Sequence, residues 1–497
     1  MNKKLQRRRV GRGLQRAKVC IAILLAITIA GGWAAVTTAE PTGYTWTGAE
    51  SSQWNVSSLN WLDGGSEPAA WVNSSTAIFN GSGTGSITVD YSIVVGGITV
   101  SSSGYSFTSG SITLGNYGGT PFQIDNDVTV DSDLSGGPLL KNGNGALTVS
   151  SVFNTFSGAT VSAGTLVGTT ASLPGDITNN AVVTFDQGFD GTYSGSMSGS
   201  GSLTKLGVGQ VTLSGNNSYY GGTTVTAGSL IGTTDSLQGA IANDGVVTFD
   251  QSSDGTYSGA ISGSGNLNKS GSGAVTLSGN SNYTGTTTVE NGSLFVTGNV
   301  SGSAFSVESG GLLGGDGTIG GSVMVLAGGG LAPGNSPGLL TVGSLQLDAS
   351  STTFFEITGT TPAVDYDQIS VTNSLNYGGT LSLTLSGIYA DYTSFALFTD
   401  FTSTDGSLAA VTLSAAGTPY DGLSFSETTP GFWETGWVDP SLPNYSQKLV
   451  FSQSTGVLAV VPEPSTYAMA LVGIVCGGYL LRRRRSDSET CQAVIAA

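Results

Sequence analysis

Along most of the chain, apolar residues alternate with Thr and Ser in short runs such as Val211-Thr-Leu-Ser, Thr223-Thr-Val-Thr and Val246-Val-Thr-Phe. A period of two is the pattern of a half-buried strand. Gly-Asn, Ala-Gly and Asn-Asp-Gly sequences separate the runs and mark tight turns. No window carries the period of an amphipathic helix, which excludes βαβ units and helical repeats.

The strand runs recur at a fixed distance. Lys141-Asn-Gly-Asn-Gly-Ala-Leu-Thr-Val, Lys205-Leu-Gly-Val-Gly-Gln-Val-Thr-Leu and Lys269-Ser-Gly-Ser-Gly-Ala-Val-Thr-Leu are copies with a 64-residue period. Residues 159–205 and 223–269 align without a gap, with about two-thirds of positions identical. A fixed period marks a stacked architecture. With a coil of about 20–25 residues, each unit is expected to make about three coils, with like side chains stacked over one another. The fold class read from this pattern is all-β, a parallel β-helix (solenoid) with β caps. A meander β-sandwich is the alternative.

Leu213-Ser-Gly-Asn-Asn-Ser-Tyr-Tyr-Gly-Gly-Thr-Thr-Val-Thr-Ala-Gly-Ser-Leu, its counterpart from Leu277 to Leu294 and a degenerate copy from Val149 to Leu166 resemble the autotransporter-associated β-strand repeat. Gly315-Asp-Gly-Thr-Ile-Gly-Gly and Leu331-Ala-Pro-Gly-Asn-Ser-Pro-Gly look like the passenger end of autotransporters. The resemblance implies a right-handed β-helix. The repeat region is taken as 131–344, after an amino-terminal β cap at 40–130 and before a carboxy-terminal β domain at 345–460. Only about 115 residues separate Leu345 from Pro462, too few for a large membrane barrel and its passenger junction.

Both ends read as addresses. Residues 1–18 hold eight Lys and Arg, an apolar run follows from Val19 to Ala30, and small residues end near Ala39. That order predicts a cleavable signal peptide at 1–39. Arg8-Arg9 leaves a twin-arginine signal as an alternative, and an uncleaved anchor is another. At the other end, Pro462-Glu463-Pro464 is expected to stay extended and accessible. It precedes an apolar stretch, 466–481, and the run Arg482, Arg483, Arg484 and Arg485. The stretch has 16 residues, slightly short for a membrane helix, and the arginines would hold their side in the cytoplasm. The segment 461–485 resembles the PEP-CTERM sorting signal of Gram-negative bacteria. The resemblance implies an exosortase-type transpeptidase as partner, transient residence in the inner membrane, and delivery to the cell surface or exopolysaccharide. Residues 486–497 would form a short cytoplasmic tail, longer than the resemblance leads one to expect.

Composition narrows the functions. Charged residues are 10% of the chain and glycines number 77. Between residues 40 and 461 only Lys141, Lys205, Lys269 and Lys448 oppose 30 acids, a formal charge of −26, with no Arg and no His. Such a surface repels nucleic acid. The stretch also lacks Cys, so neither disulfides nor thiolate metal sites are expected. Without His, Ser-His-Asp catalysis is excluded. A polysaccharide lyase would want a cation that this stretch scarcely supplies. Asp186 with Asp190, and Asp250 with Asp254, are the carboxylate pairs a glycosidase would need. They recur in both copies, however, and capping of turns is the plainer reading. Asp365 and Asp367 are candidates for Ca²⁺. Gly314-Gly-Asp-Gly-Thr-Ile-Gly-Gly has the look of a phosphate or Ca²⁺ loop, but no helix follows and it does not repeat. Trp46, Trp54, Trp61 and Trp71 are either the core of the cap or a stacking platform for glycans. No cofactor and no catalytic residue are assigned. The leading expectation is a structural or adhesive surface protein, not an enzyme; a glycan-binding module and a β-helix polysaccharide-degrading enzyme are the alternatives.

Overall fold

The computed structural model describes residues 43–462, apart from 65, 82–83, 117, 335–336 and 439–446. The expected signal peptide, most of the sorting segment and the tail lie outside the described residues. Among the described residues there is no helix.

Strands pair in parallel, each with the strand one coil before and one coil after. A single register runs Leu147, Leu166, Val183, Leu203, Thr223, Ile241 and Ile261. Six coils therefore separate Leu147 from Ile261. The coils are unequal in length, the step from Leu166 to Val183 being shorter than that from Val183 to Leu203. Within one coil the strands Ser202–Leu206, Gln210–Leu213 and Ser218–Tyr219 lie in three different sheets. The solenoid is therefore three-faced. Inward positions alternate with outward ones, as in Gln210–Leu213, where Val211 and Leu213 are buried.

The 64-residue period does not equal a whole number of these coils. In the column of Lys141 the next coils bring Val161 and Asn179. The third brings the end of strand Met197–Gly199, still short of Lys205. The remaining residues carry the chain across one more face. Lys141, Lys205 and Lys269 consequently lie in three different sheets. Like residues of successive repeats are not stacked, contrary to the sequence expectation. Each repeat is turned by one face relative to the last.

The parallel ladder is also longer than the repeat. It includes Ser75–Phe79 on Ile93–Val100 near one end and Thr380–Leu385 on Ala410–Ser414 near the other. The region expected to be an amino-terminal cap is thus mostly coil, and so is much of 345–460. The ladder needs inward apolar residues at period two, such as Ile87 and Val89 or Leu381, Leu383 and Leu385. It does not need the copies to resemble one another.

Two devices close the stack. At one end, Gly43–Trp46 pairs in parallel with Ser75–Phe79 and antiparallel with Trp61–Leu62, which covers a parallel edge. Trp46, Trp54, Trp61 and Trp71 fill the interior there at 0–2% exposure. The Trp61 ring centroid lies 5.0 Å from Trp46, 5.1 Å from Trp54, 4.9 Å from Trp71 and 5.6 Å from Phe79. At the other end a five-stranded antiparallel sheet contains Phe425–Thr429, Phe432–Thr435, Gln447–Ser452, Val457–Pro462 and Ser394–Ala396. Its Leu449, Phe451, Leu458 and Val460 join the core.

Trp61→Ala is expected to lower the stability of the amino-terminal coils by about 3–5 kcal/mol, the cost of removing a large aromatic side chain from a packed core. Hydrogen exchange should show faster opening at Ser75–Phe79 and Ile93–Val100, with the distant coils unchanged, because each coil touches only its neighbours.

Candidate functional site

The feature common to the three repeats is a buried lysine. Lys141, Lys205 and Lys269 are each 0% exposed. Each sits in an inward column of one face. The columns read Phe122, Lys141, Val161, Asn179; then Phe185, Lys205, Val225, Asn243; then Phe249, Lys269, Val289, Val307. In register, the lysine thus lies between a phenylalanine on one coil and a valine on the next, an apolar setting for its methylene stem.

The ammonium group ends at a corner of the coil. Lys141 Nζ donates to the carbonyls of Asn142 (3.0 Å), Gly143 (2.8 Å) and Ala163 (3.0 Å). Lys205 Nζ donates to Leu206 (2.6 Å), Gly207 (2.8 Å) and Ala227 (3.2 Å). Lys269 Nζ donates to Ser270 (2.7 Å), Gly271 (2.9 Å) and Asn291 (2.9 Å). An ammonium has three protons to donate, and each meets one acceptor. Two acceptors belong to the corner just after the lysine and the third to the next coil, so the group ties adjacent coils together.

Glycine makes the corner. Gly143, Gly207 and Gly271 have φ near +75°, +71° and +75°, in the left-handed region that suits glycine. A Cβ on Gly207 would lie 2.4 Å from the Gln187 carbonyl oxygen.

Burial sets the charge state of these groups. It pushes the Lys141 ammonium down to about 8, against the opposing pull of Asp125 and Asp127. Burial lowers Lys205 and Lys269 as well, opposed by Asp186 and Asp250 respectively. The carboxylates weighed as glycosidase pairs therefore have separate structural employment. Asp186 and Asp250 face the field of a buried ammonium. Asp190 Oδ1 accepts the Gln210 N–H, and Asp254 Oδ1 accepts the Ala274 N–H, both at 2.8 Å. Asp127 does the same for Ala146. This is Asx capping carried from one coil to the next.

Other inward polar groups are satisfied in the same manner. Gln187 accepts from the Thr170 N–H and donates to the Phe189 and Gln210 carbonyls. Gln251 repeats these contacts with Thr234, Ser253 and Ala274. Asn179 and Asn243, both fully buried, accept from the N–H two residues on and donate to Ser202 and Asn266. The sequence shows Gln187 and Gln251 as matched positions but does not by itself place them inside. Their signal is a polar residue at constant phase in a run whose alternate positions are apolar.

The remaining sequence candidates disperse. Trp46, Trp54, Trp61 and Trp71 pack on one another, and a glycan platform needs an open ring face that none of them has. The core reading applies to them. Asp367 is buried and accepts the Gly338 and Glu356 N–H groups through different oxygens, while Asp365 accepts from Thr361. Burial raises Asp367 to about 6, against those two hydrogen bonds. Among the described residues no three His, Cys, Asp or Glu side chains gather as a metal site. The 314–321 segment is the end of one strand, a turn and the start of Thr318–Val325. Of the sorting motif only Pro462 is described. It ends the last strand opposite Gln447 and is buried, so this first residue of the motif is extended but not accessible. Glu463, Pro464 and Arg482 to Arg485 lie outside the described residues.

The lysine shifts fix a sign. The folded-state value of Lys141, about 8, lies below the ordinary 10.5. Between those values the unfolded chain binds more protons at this site, so its contribution to stability rises with pH over that window. Lysine-selective NMR should show Lys141 titrating near 8. Lys205→Met should cost about 2–4 kcal/mol, because three half-buried carbonyls lose a charged donor. Amine-reactive labelling at neutral pH should leave Lys141, Lys205 and Lys269 unmodified in the native chain, and modify them after unfolding.

No curated protein matches the chain. The Passenger-associated-transport-repeat family model matches residues 139–167, 203–231 and 267–295. Each match begins two residues before a clamp lysine and includes both corners that supply its carbonyls. The chain therefore carries three passenger-associated-transport repeats, a repeat type linked to autotransporter-type surface proteins, and the lysine clamp is the interior these repeats share.

Proposed function

We propose that the chain is an exported structural or adhesive protein, a stiff right-handed β-solenoid held at the cell surface or in exopolysaccharide, and that it catalyses no reaction. The observation that carries this reading is the family match, together with what lies inside each matched segment. The repeated polar groups are consumed in holding coils together, which suits a scaffold. The right-handed winding rests on the chirality of parallel crossovers.

In this reading residues 1–39 direct export across the inner membrane of a Gram-negative cell. Residues 466–481 then anchor the chain there, with Arg482 to Arg485 on the cytoplasmic side. An exosortase-type transpeptidase acts at Pro462-Glu463-Pro464 and releases the solenoid to the surface. What supports this is the order of motif, short apolar stretch and basic run. The charge of −26 on residues 40–461 keeps the product apart from nucleic acid.

Two experiments test the proposal. An epitope-tagged chain carrying Glu463→Ala and Pro464→Ala, which leaves the last strand intact, should accumulate in the inner-membrane fraction; undiminished surface delivery would contradict the sorting role. Incubation with uronate polymers should release no reducing ends, and release above a heat-denatured control would contradict the non-catalytic role.

A further inference from the structure

We propose that one corner of the amino-terminal coils is a binding groove for neutral polysaccharide. The proposal gives a location to the glycan contact of the surface role above, and rests on that role only for the setting in which glycan is met.

The groove, about 420 Å³, is built from the same corner of four successive coils. These corners are Tyr91, then Ser109 and Gly110, then Asp131, then Ser150 to Phe153. Backbone hydrogen bonds from Ser111 to Asp90, Asp133 to Gly110 and Ser150 to Val130 stack them in that order. Four coils span three ladder spacings, roughly 14 Å, the reach of a short oligosaccharide.

Aromatic rings stand at both ends of this shelf. Tyr91 is 80% exposed and Phe153 74%, a contrast with the buried aromatics of the adjoining core. Exposed rings lining a concave surface mark a binding site, and their faces suit the C–H faces of sugars. Between them the floor is kept low by a tight turn. Ser109 and Gly110 have φ of +60° and +56°, and a Cβ on Gly110 would lie 2.1 Å from the Val89 carbonyl oxygen.

The polar groups specify the sugar class. Asp131 Oδ1 accepts from Ser150 Oγ and Asp133 Oδ1 accepts from Ser151 Oγ. These bonds orient the carboxylates, and the Oδ2 atom of each accepts no hydrogen bond among the described residues. Oriented carboxylate oxygens are acceptors for vicinal sugar hydroxyls. Among the described residues no cation is at hand to receive a uronate or sulfate: the lysines there are three buried clamps and Lys448, which pairs with Glu434. A neutral chain fits, and an acidic one is repelled.

Affinity electrophoresis of the full-length chain tests this, with xyloglucan, mixed-linkage β-glucan, galactomannan and dextran as neutral probes and alginate and polygalacturonate as acidic ones. At least one neutral polymer should retard the chain, in the presence of chelator, and the acidic polymers should not. Tyr91→Ala with Phe153→Ala should weaken retardation at least tenfold, and Asp131→Asn with Asp133→Asn severalfold, at unchanged thermal unfolding. Tyr220→Ala, an exposed tyrosine outside the groove, should have no effect. The proposal is overturned if no neutral polymer retards the chain, if the double aromatic variant binds like the parent, if chelator abolishes binding, or if alginate binds better. Sorting is read by localisation, so a failure here leaves that proposal standing, and the reverse holds too.

Discussion

The interior of a narrow coil has no room for bulk water, so every backbone group that turns inward must find a partner within the chain. Along the strands the parallel ladder provides it. At the corners it does not, because the chain changes direction and its carbonyls leave the ladder plane. The clamp lysines answer this constraint. One ammonium collects three carbonyl oxygens from two coils, and its stem lies between apolar neighbours in the same column. Burying the charge costs desolvation energy, visible as the lowered proton affinity of all three groups. The carbonyls and the carboxylates outside offset that cost. Slipping a strand by one residue would put the ammonium outside and three acceptors without a donor, so the clamp specifies register as well as holding it.

Gln, Asn and Tyr extend the same logic. Tyr193 donates to the Gly175 carbonyl at 2.8 Å, and Tyr257 donates to that of Gly239. The 64-residue repeat is thus a recipe for satisfying a run of corners, and its length is set by that run. Since it does not equal a whole number of coils, successive recipes wind around the stack. Whatever the outer surface of one repeat presents, the next presents from another face. A scaffold built this way offers its repeated surface in several directions while keeping one continuous core.

Much of this is legible in the sequence. Alternation in Val211-Thr-Leu-Ser and the glycine-rich turns are enough to read strands, and the 64-residue identity is enough to read a stack. The phase of the stack is not legible, because coil length is decided by how many residues each corner takes. The loop of residues 169–175 and its counterpart 233–239 occupy a face without forming a strand, and nothing in their composition sets them apart from an ordinary turn. The lysines stand out through their constant phase, but their burial is hidden, since lysine is ordinarily an outward residue. The tryptophans show the converse. Aromatic residues near an end favour a core but also suit a sugar platform, and their mutual packing decides between the two. The flanking coils are hard to read because they lack internal identity, although Ile87, Val89, Leu381 and Leu383 carry the same alternation.

Successive repeats are rotated by one face, and the absence of Cys from residues 40–461 allows this to be measured with introduced spin labels. Val208 and Ser272 are equivalent residues of two successive repeats, at corners that follow strands of different sheets. Val208 and Ser264, by contrast, share one corner three coils apart, as the contacts of Gly228, Gly245 and Gly265 along that corner indicate. Dipolar EPR distances should therefore be short, near three ladder spacings or roughly 14 Å, for labels at Val208 and Ser264, and clearly longer for labels at Val208 and Ser272. The reverse order, with the equivalent residues close and the other pair far apart, would mean that the repeats stack directly, without rotation.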